Sequence, residues 1–261
     1  NGILGASFSA LIVQTSSTAF WLAVIIVFAR ALSVDDFGAV FYVISFTMLA
    51  AQVVSLGYNV VTLRIGTHLF QQMNLHSVAI LLNEARWMVL LTTAVLGTGM
   101  LLALLSGLET PLPDDITIVA LVILLVGITS VMTINKEALR ATGHIVKALF
   151  GITIMRSLGT LIIASLFLVF GQFGFLTAVL SYLLSLAAGL TLELFWLAKV
   201  LKVPEKKPTF RRPRHLGMAL SIWPGEISAT ATARMTLLML GLQGNLTVVA
   251  LFVAAEKVAT L

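Results

Sequence analysis

The chain lacks cysteine and has few charged residues. Only 10% of its 261 residues are Asp, Glu, Lys or Arg, against about 25% in an ordinary soluble domain. The absence of cysteine excludes disulfides, thiolate nucleophiles and Cys-ligated metals. The low charge content argues against a water-soluble fold, because the chain has too few charged groups to cover a soluble surface.

Long apolar runs take up most of the sequence. The chain is 59% hydrophobic, and its mean hydropathy is +1.06. A helix needs about 20 mostly apolar residues to cross a hydrocarbon core of roughly 30 Å. The sequence therefore predicts an all-α membrane protein, a polytopic bundle of transmembrane helices with about eight spans. They lie at 5-29, 39-63, 87-106, 116-135, 148-170, 174-197, 216-240 and from 247 to the end.

The eighth span is short. From Thr247 it offers about 15 residues, or about 22 Å of helix. The sequence also begins with Asn1 instead of methionine. We therefore expect the sequence to be the N-terminal part of a longer protein.

The sign of the charged residues alternates from one connection to the next. Basic residues follow spans 2, 4 and 6, whereas the connections after spans 1 and 3 are mainly acidic. Because cytoplasmic loops are enriched in Lys and Arg, the pattern predicts a cytoplasmic N-terminus and a multi-pass protein of the cell inner membrane. The basic residues of the even connections are Arg64, His68, Arg86, Lys136, Arg140, His144, Lys147, Lys199, Lys202, Lys206, Lys207, Arg211, Arg212, Arg214 and His215.

Two connections are longer than turns. Residues 66-84 mix apolar and amide side chains, which suits either a helix in the cytoplasmic interface or a cap on the bundle. Residues 199-215 are basic and contain three prolines, which prevent a continuous helix. We interpret 1-198 as a first six-helix lobe, 199-215 as a cytoplasmic linker and 216-261 as the start of a second lobe.

Charged residues inside the spans are candidate functional residues, because a charge in hydrocarbon costs at least a few kcal/mol. Glu226 in span 7 and Lys257 in span 8 have matched depths on consecutive antiparallel spans, so they can pair and leave Glu256 for another partner. The pair is either structural or part of a proton or cation site. The second reading is favoured by Pro224-Gly225, because a helix break frees carbonyl groups.

Three arginines lie within or at the end of spans. Arg156 in span 5 can bridge to Glu193 in span 6, and is read either as a structural or snorkelling residue or as an anion-binding residue. Arg234 and Arg30 lie near outer span ends, where snorkelling is the default.

Span 1 carries a polar face. Gln14, Ser17, Thr18 and Trp21 share one side of a helix. Such a face either packs against another helix or lines a polar cavity. The four histidines show no metal-ligand spacing. A P-loop and a GxSxG motif are also missing from the sequence, so no metal, cofactor or enzymatic activity is predicted.

The run Phe28 to Ser45, with Leu56-Gly57 and Leu63-Arg64 after it, resembles the opening of the polysaccharide transport family. Leu139 to Gly143 is similar to that family's turn between the fourth and fifth helices. Val249 to Lys257 is similar to the start of its eighth helix. Arg234-Met235-Thr236 differs from the family's Arg-x-Asp, and Ala250 replaces its usual glycine.

The resemblance implies a two-lobed member of the multidrug, oligosaccharidyl-lipid and polysaccharide exporter superfamily. Such a protein flips a polyprenyl-diphosphate-linked glycan by alternating access, driven either by an ion gradient, with H+ or Na+ as the coupling ion, or by consumption of the substrate. On this reading Arg156, Arg234, Arg30, Gln14, Ser17 and Thr18 contact substrate. Glu226, Glu256, Lys257 and Glu193 are coupling or ion-pair residues. Membrane lipids are the other partners, and nucleic acid is not one.

Three alternatives remain open from the sequence. A drug/cation antiporter of the same superfamily needs an acidic cavity. A membrane-embedded glycosyltransferase or polymerase needs a catalytic motif in a large outer loop, and the predicted outer loops are short. The third is a membrane protein with a scaffolding role and no transport.

Overall fold

The computed structural model describes residues 2–106, 116–171, 173–201, 214–243 and 246–259. It is 92% helical, and its described residues contain no strand, which confirms the all-α prediction. The helices are α1 Gly2–Ala31, α2 Val34–Val54, α3 Tyr58–Gln71, α4 Leu75–Leu105, α5 Ile116–Ala141, α6 Ile145–Leu149, α7 Arg156–Val169, α8 Phe175–Leu201, α9 Leu216–Leu242 and α10 Leu246–Ala259, with a π-helical turn, Phe150–Met155, between α6 and α7.

Within the described ranges, six helical stretches are long and apolar enough to cross a membrane. They are Phe8–Ala31, Val34–Val54, Leu75–Leu105, Ile116–Ala141, Ile145–Val169 and Phe175–Leu201. They correspond to the first six predicted spans. Helix α9 is 27 residues long but does not meet the same criteria, and the described apolar part of α10, Leu246–Glu256, is short. A count of eight spans therefore stays a prediction.

The outward faces of α4 and α7 carry large apolar side chains. Leu91, Val95 and Leu102 on α4, and Ile162 and Leu166 on α7, are all at least half exposed. An apolar surface of this extent is rare on a soluble monomer. It suits contact with lipid tails, which agrees with a membrane-embedded protein.

The predicted span 39-63 is not one helix. Helix α2 begins at Val34, where the hydroxyl of Ser33 accepts a hydrogen bond from the backbone N–H of Asp36, and ends at Val54. Leu56 and Gly57 then have φ values of 48° and 78°. These left-handed conformations break the helix before α3 begins. A hydropathy pattern does not reveal this break, because the residues on both sides of it are apolar.

The segment 66-84 also divides. Helix α3 ends at Gln71 and α4 begins at Leu75, with Met73 at a φ of 58° between them. The side chain of Asn74 accepts a hydrogen bond from the backbone N–H of Ser77 at the start of α4. The predicted interfacial segment is thus the end of one helix and an extension of the third predicted span.

Helix α2 lies at the centre of the bundle. It packs against α4, α5, α8, α9 and α10. Helix α9 runs antiparallel to it. Ala219, near the start of α9, approaches Gly57, and Gly241, near its end, lies against the ring of Tyr42. The hydroxyl of Thr247 at the start of α10 donates to a carboxylate oxygen of Asp35 at 2.7 Å.

Three of the helices meet at the opposite end of α2. The hydroxyl of Tyr58 on α3 donates to a carboxylate oxygen of Glu84 on α4 at 3.0 Å. The backbone N–H of His215, which precedes α9, donates to the same carboxylate oxygen at 3.1 Å. Most of the predicted linker 199-215 lies outside the described residues, so the three-part domain division stays a prediction.

We expect a reporter fused near Arg212 to be cytoplasmic and one near Asp114 to be external. The reason is the positive-inside rule, because these residues follow spans 6 and 3. Accessibility of the two reporters in intact cells and in inverted vesicles measures their sides. Labelling of both sites from the same side would contradict the predicted topology.

Candidate functional site

A π-helical turn places Arg156 at the start of α7. The turn, Phe150–Met155, is packed by hydroxyl groups from two neighbouring helices. The hydroxyl of Ser17 on α1 donates to the carbonyl of Thr153 at 3.1 Å. The hydroxyl of Ser185 on α8 donates to the carbonyl of Arg156 at 3.0 Å. Such turns are rare and are often found at functional sites.

The guanidinium of Arg156 lies against aromatic residues. Its Cζ lies 5.6 Å from the ring centroid of Trp21, a distance at which a cation is attracted to the ring face. The hydroxyl of Tyr182 faces the same guanidinium, and the rings of Trp21 and Tyr182 are 6.2 Å apart. The Nε of Arg156 is buried and has no hydrogen-bond partner within the described ranges. Arg156 thus retains a free N–H donor inside the bundle.

A second arginine acts on the same tyrosine. The positive charge of Arg234 on α9 interacts with Tyr182, as does that of Arg156. Arg234 is half-buried on the side of α9 that faces the bundle. Of these two predicted substrate-binding arginines, Arg156 has the larger influence on this buried hydroxyl, and Arg234, from a helix far away in sequence, has a smaller one.

The other predicted substrate-binding residues lie in different surroundings. Ser17 is buried, and its hydroxyl lies 3.2 Å from that of Ser157, so it packs α1 against α7. Gln14 and Thr18 are exposed, and the hydroxyl of Thr18 donates to the carbonyl of Gln14 within α1. Arg30 is exposed in the last turn of α1.

The predicted bridge between Arg156 and Glu193 is not among the ion pairs of the described residues. Glu193 is fully buried, and neither carboxyl oxygen has a hydrogen-bond partner in this part of the chain. Instead, the amide of Asn135 and the charges of Arg86 and Lys136 face Glu193. The Nε and Nη2 of Arg86 donate to Oδ1 of Asn135 at 2.9 Å and 2.6 Å.

Glu226 contacts two amide side chains. The Nε2 of Gln52 on α2 and the Nδ2 of Asn59 on α3 each donate to Oε2 of Glu226 at 3.1 Å. The predicted partner Lys257 belongs to α10, but its side chain lies outside the described residues. Glu256 is half-buried on α10, and its pairing stays a prediction.

The helix break lies between the two amides. The Nε1 of Trp223 on α9 donates to the carbonyl of Val53 at 2.9 Å. The hydroxyl of Thr92 on α4 donates to the carbonyl of Val54 at 2.6 Å. Together with the backbone N–H of Leu56, which donates to the carbonyl of Val53 at 3.4 Å, these side chains satisfy the last carbonyl groups of α2. They hold the break in place beside Glu226.

Within the described ranges, His, Asp and Glu side chains form no group of three that could hold a metal ion. The chain matches no protein-family model, no curated protein and no solved structure. Its function must therefore be inferred from its own residues.

The contact residues Arg86, Asn135, Gln52 and Asn59 were not identified as site residues from the sequence. The apolar pattern places Arg86 in a cytoplasmic connection. In the structure Arg86 lies within α4, because this helix begins about three turns before the predicted span. Asn135 was placed at a span end. The sequence does carry a signal for Gln52 and Asn59: both are amides within the apolar run 39-63, and an amide in hydrocarbon needs a partner.

Proposed function

We propose that the chain is part of a membrane transporter that flips a polyprenyl-diphosphate-linked oligosaccharide or polysaccharide precursor across the bacterial inner membrane. Its N-terminus is cytoplasmic, and eight spans form a first lobe, 1-198, and the start of a second, 216-261. The lobes move by alternating access, with H+ or Na+ as a coupling ion. No covalent chemistry is required.

The observation that carries the proposal is the surroundings of Arg156. The guanidinium of Arg156 lies over the ring of Trp21 in the bundle, and its buried Nε has no hydrogen-bond partner in the described part of the chain. An arginine donates two parallel hydrogen bonds to a phosphate group. Such a group suits the pyrophosphate of a lipid-linked glycan, while the lipid tail stays in the bilayer, and Arg234 is the second arginine of the proposed site.

The exposed polar residues Gln14 and Thr18 lie about two turns and one turn before Trp21 on α1. In a two-lobed transporter they are available to a glycan that enters between the lobes. Ser17 has a different role on this view, because its hydroxyl is engaged by the π-helical turn. Arg30 lies at the outer end of α1, where it suits release of the head group.

We expect Arg156→Gln to slow flipping by about 10–100-fold, because a charge-assisted hydrogen bond is worth about 1.5–3 kcal/mol. Arg156→Lys keeps the charge but loses the planar fork of donors, so its flipping rate is expected to lie between those of wild type and Arg156→Gln. The measurement uses a fluorescently labelled polyprenyl-diphosphate sugar in proteoliposomes of the full-length protein. Flipping moves the label from the inner to the outer leaflet, where an added membrane-impermeant quencher removes its fluorescence.

Arg140→Gln is the matched control, because Arg140 is largely exposed and pairs with Glu137 at 2.8 Å. It should flip at the wild-type rate. Equal rates for Arg156→Gln and wild type would overturn the assigned role of Arg156. Transport of cationic drugs without flipping would favour the antiporter alternative.

A further inference from the structure

We propose that Glu84 and His215 form a pH-sensitive clasp, which fixes the start of α9 to α3 and α4 and loosens when His215 loses its proton. Glu84 lies on α4, its other partner Tyr58 lies on α3, and His215 immediately precedes α9. The clasp goes beyond the proposed function, because it binds no substrate and its proton enters and leaves on one side of the membrane.

The carboxylate of Glu84 is the centre of the clasp. Its Oε1 accepts hydrogen bonds from the hydroxyl of Tyr58 at 3.0 Å and from the backbone N–H of His215 at 3.1 Å. Its Oε2 lies 3.3 Å from Nδ1 of His215. The first backbone N–H groups of a helix have no acceptor within the helix. Glu84 therefore supplies, from another helix, an acceptor at the start of α9.

The ring of His215 is the part of the clasp that responds to pH. An ionised carboxylate only accepts hydrogen bonds, so Nδ1 carries a proton in this contact. A neutral imidazole supplies that proton without a charge, whereas an imidazolium adds the attraction between opposite charges. Histidines change charge between about pH 5 and 8. The clasp is therefore tighter below this range and weaker above it.

His215 is accessible to protons from the aqueous phase. Its side chain is 28% exposed, whereas that of Glu84 is 10% exposed. The imidazole thus exchanges protons with water while the carboxylate is held inside the bundle. The basic segment 199-215 precedes α9, which predicts that this end of the helix is cytoplasmic. The inference rests on the proposed function in this one respect, the side of the membrane.

Other charged groups around His215 also bear on its protonation. Arg214 is exposed directly before it, and its positive charge opposes protonation of the ring. Among the ion pairs of the described residues, His215 takes part in the one with Glu84, which favours protonation. The other titratable or charged side chains described on α2, α3, α4, α9 and α10 are Asp35, Asp36, Tyr42, Arg64, His68, His76, Arg86, Glu226, Arg234 and Glu256.

The clasp is the first of four contacts along one face of α9. His215, Ala219, Trp223 and Glu226 recur at each helical turn. The three residues after His215 contact α2, α3 and the break between them. Because these three contacts hold, release of the clasp displaces the first turns of α9 and leaves the rest of the helix in place. In the proposed two-lobed transporter, this displacement opens the junction of the lobes on the cytoplasmic side.

The test is the distance between spin labels on α4 and α9, measured by double electron–electron resonance. The labels are attached through Ile80→Cys and Met218→Cys, whose native side chains are 42% and 47% exposed. These positions lie about one turn from Glu84 and His215. The full-length protein, free of other cysteines, is placed in nanodiscs of neutral phospholipid. From about pH 5.5 to about pH 8, the fraction of molecules with a longer distance should rise about 2–5-fold, as expected for a partly exposed ion pair.

Two variants assign this response to the clasp. His215→Asn keeps a side-chain N–H donor but does not titrate, so its distance distribution should be the same at both pH values. Glu84→Gln removes the carboxylate, so the longer distance should be frequent at both pH values. Asp35→Asn is the matched control, because Asp35 bonds Thr247 at the opposite end of α2. It should keep the response of wild type.

A distance distribution of wild type that does not change with pH would overturn the proposal. A response of His215→Asn equal to that of wild type would also overturn it. If Glu84→Gln does not elute as a monodisperse protein, His215→Asn decides. The experiment measures no transport, so the clasp and the proposed flipping activity can fail independently of each other.

Discussion

Replacing Arg86 with methionine is expected to destabilise the helix bundle by about 1.5–3 kcal/mol, the typical worth of a hydrogen bond made by a charged group. Arg86 donates two hydrogen bonds to Asn135, and its charge acts on the fully buried Glu193. Methionine keeps much of the length and apolar volume of the side chain but removes the charge. Thermal unfolding of the detergent-solubilised protein, followed by loss of the monodisperse elution peak, measures the effect.

The double variant Arg86→Met/Glu193→Gln should recover only part of this loss, because the glutamine removes the buried carboxyl charge but Asn135 still lacks the two donors of Arg86. The matched control is Arg140→Met. Its side chain is 42% exposed, and its partner Glu137 keeps an ion pair with Lys136 at 3.0 Å when Arg140 is replaced, so the loss should cost no more than about 1 kcal/mol. Additive effects of the two substitutions would show that Arg86 and Glu193 do not interact.

The helical class and the first six membrane-length helices could be predicted from the sequence, because each contains a long apolar run. The ends of these helices were harder to predict. Helix α4 begins at Leu75, about three turns before its predicted span, because polar residues such as Asn83 and Glu84 interrupt the apolar pattern. Those residues belong to the helix because they face protein: Glu84 accepts hydrogen bonds from Tyr58 and His215.

The site was less predictable than the fold. The sequence singled out Arg156, Arg234, Glu193 and Glu226, since charges in apolar spans are conspicuous. Their surroundings depend on how helices cross, which one sequence does not specify. Similar depths within the membrane predict a pair of Glu226 with Lys257. In the structure, Gln52 and Asn59 donate hydrogen bonds to Glu226. The geometry that makes these contacts originates in the break after α2, which hydropathy did not reveal.

Gly57→Ala is expected to be the other strongly destabilising change, at about 2–5 kcal/mol. Part of the cost is conformational, because Gly57 has a φ of 78°, and a left-handed conformation costs a non-glycine residue roughly 1–2 kcal/mol. The remainder is steric. A Cβ at this position would overlap the backbone carbonyl of Ala219, so α9 would have to move away, at about 1–3 kcal/mol for overpacking. Such a shift would also separate Trp223 from Val53 and Glu226 from its amides.

Gly143→Ala separates the two contributions. Gly143 has a φ of 79°, almost the same as that of Gly57, but a Cβ there would meet no atom within 4 Å. It should therefore show only the conformational cost of roughly 1–2 kcal/mol. Thermal unfolding of both variants tests the comparison. Equal losses would show that the close approach of α9 to the break is not a constraint. A larger loss for Gly57→Ala would show that the packing of Ala219 against the break contributes to the stability of the bundle.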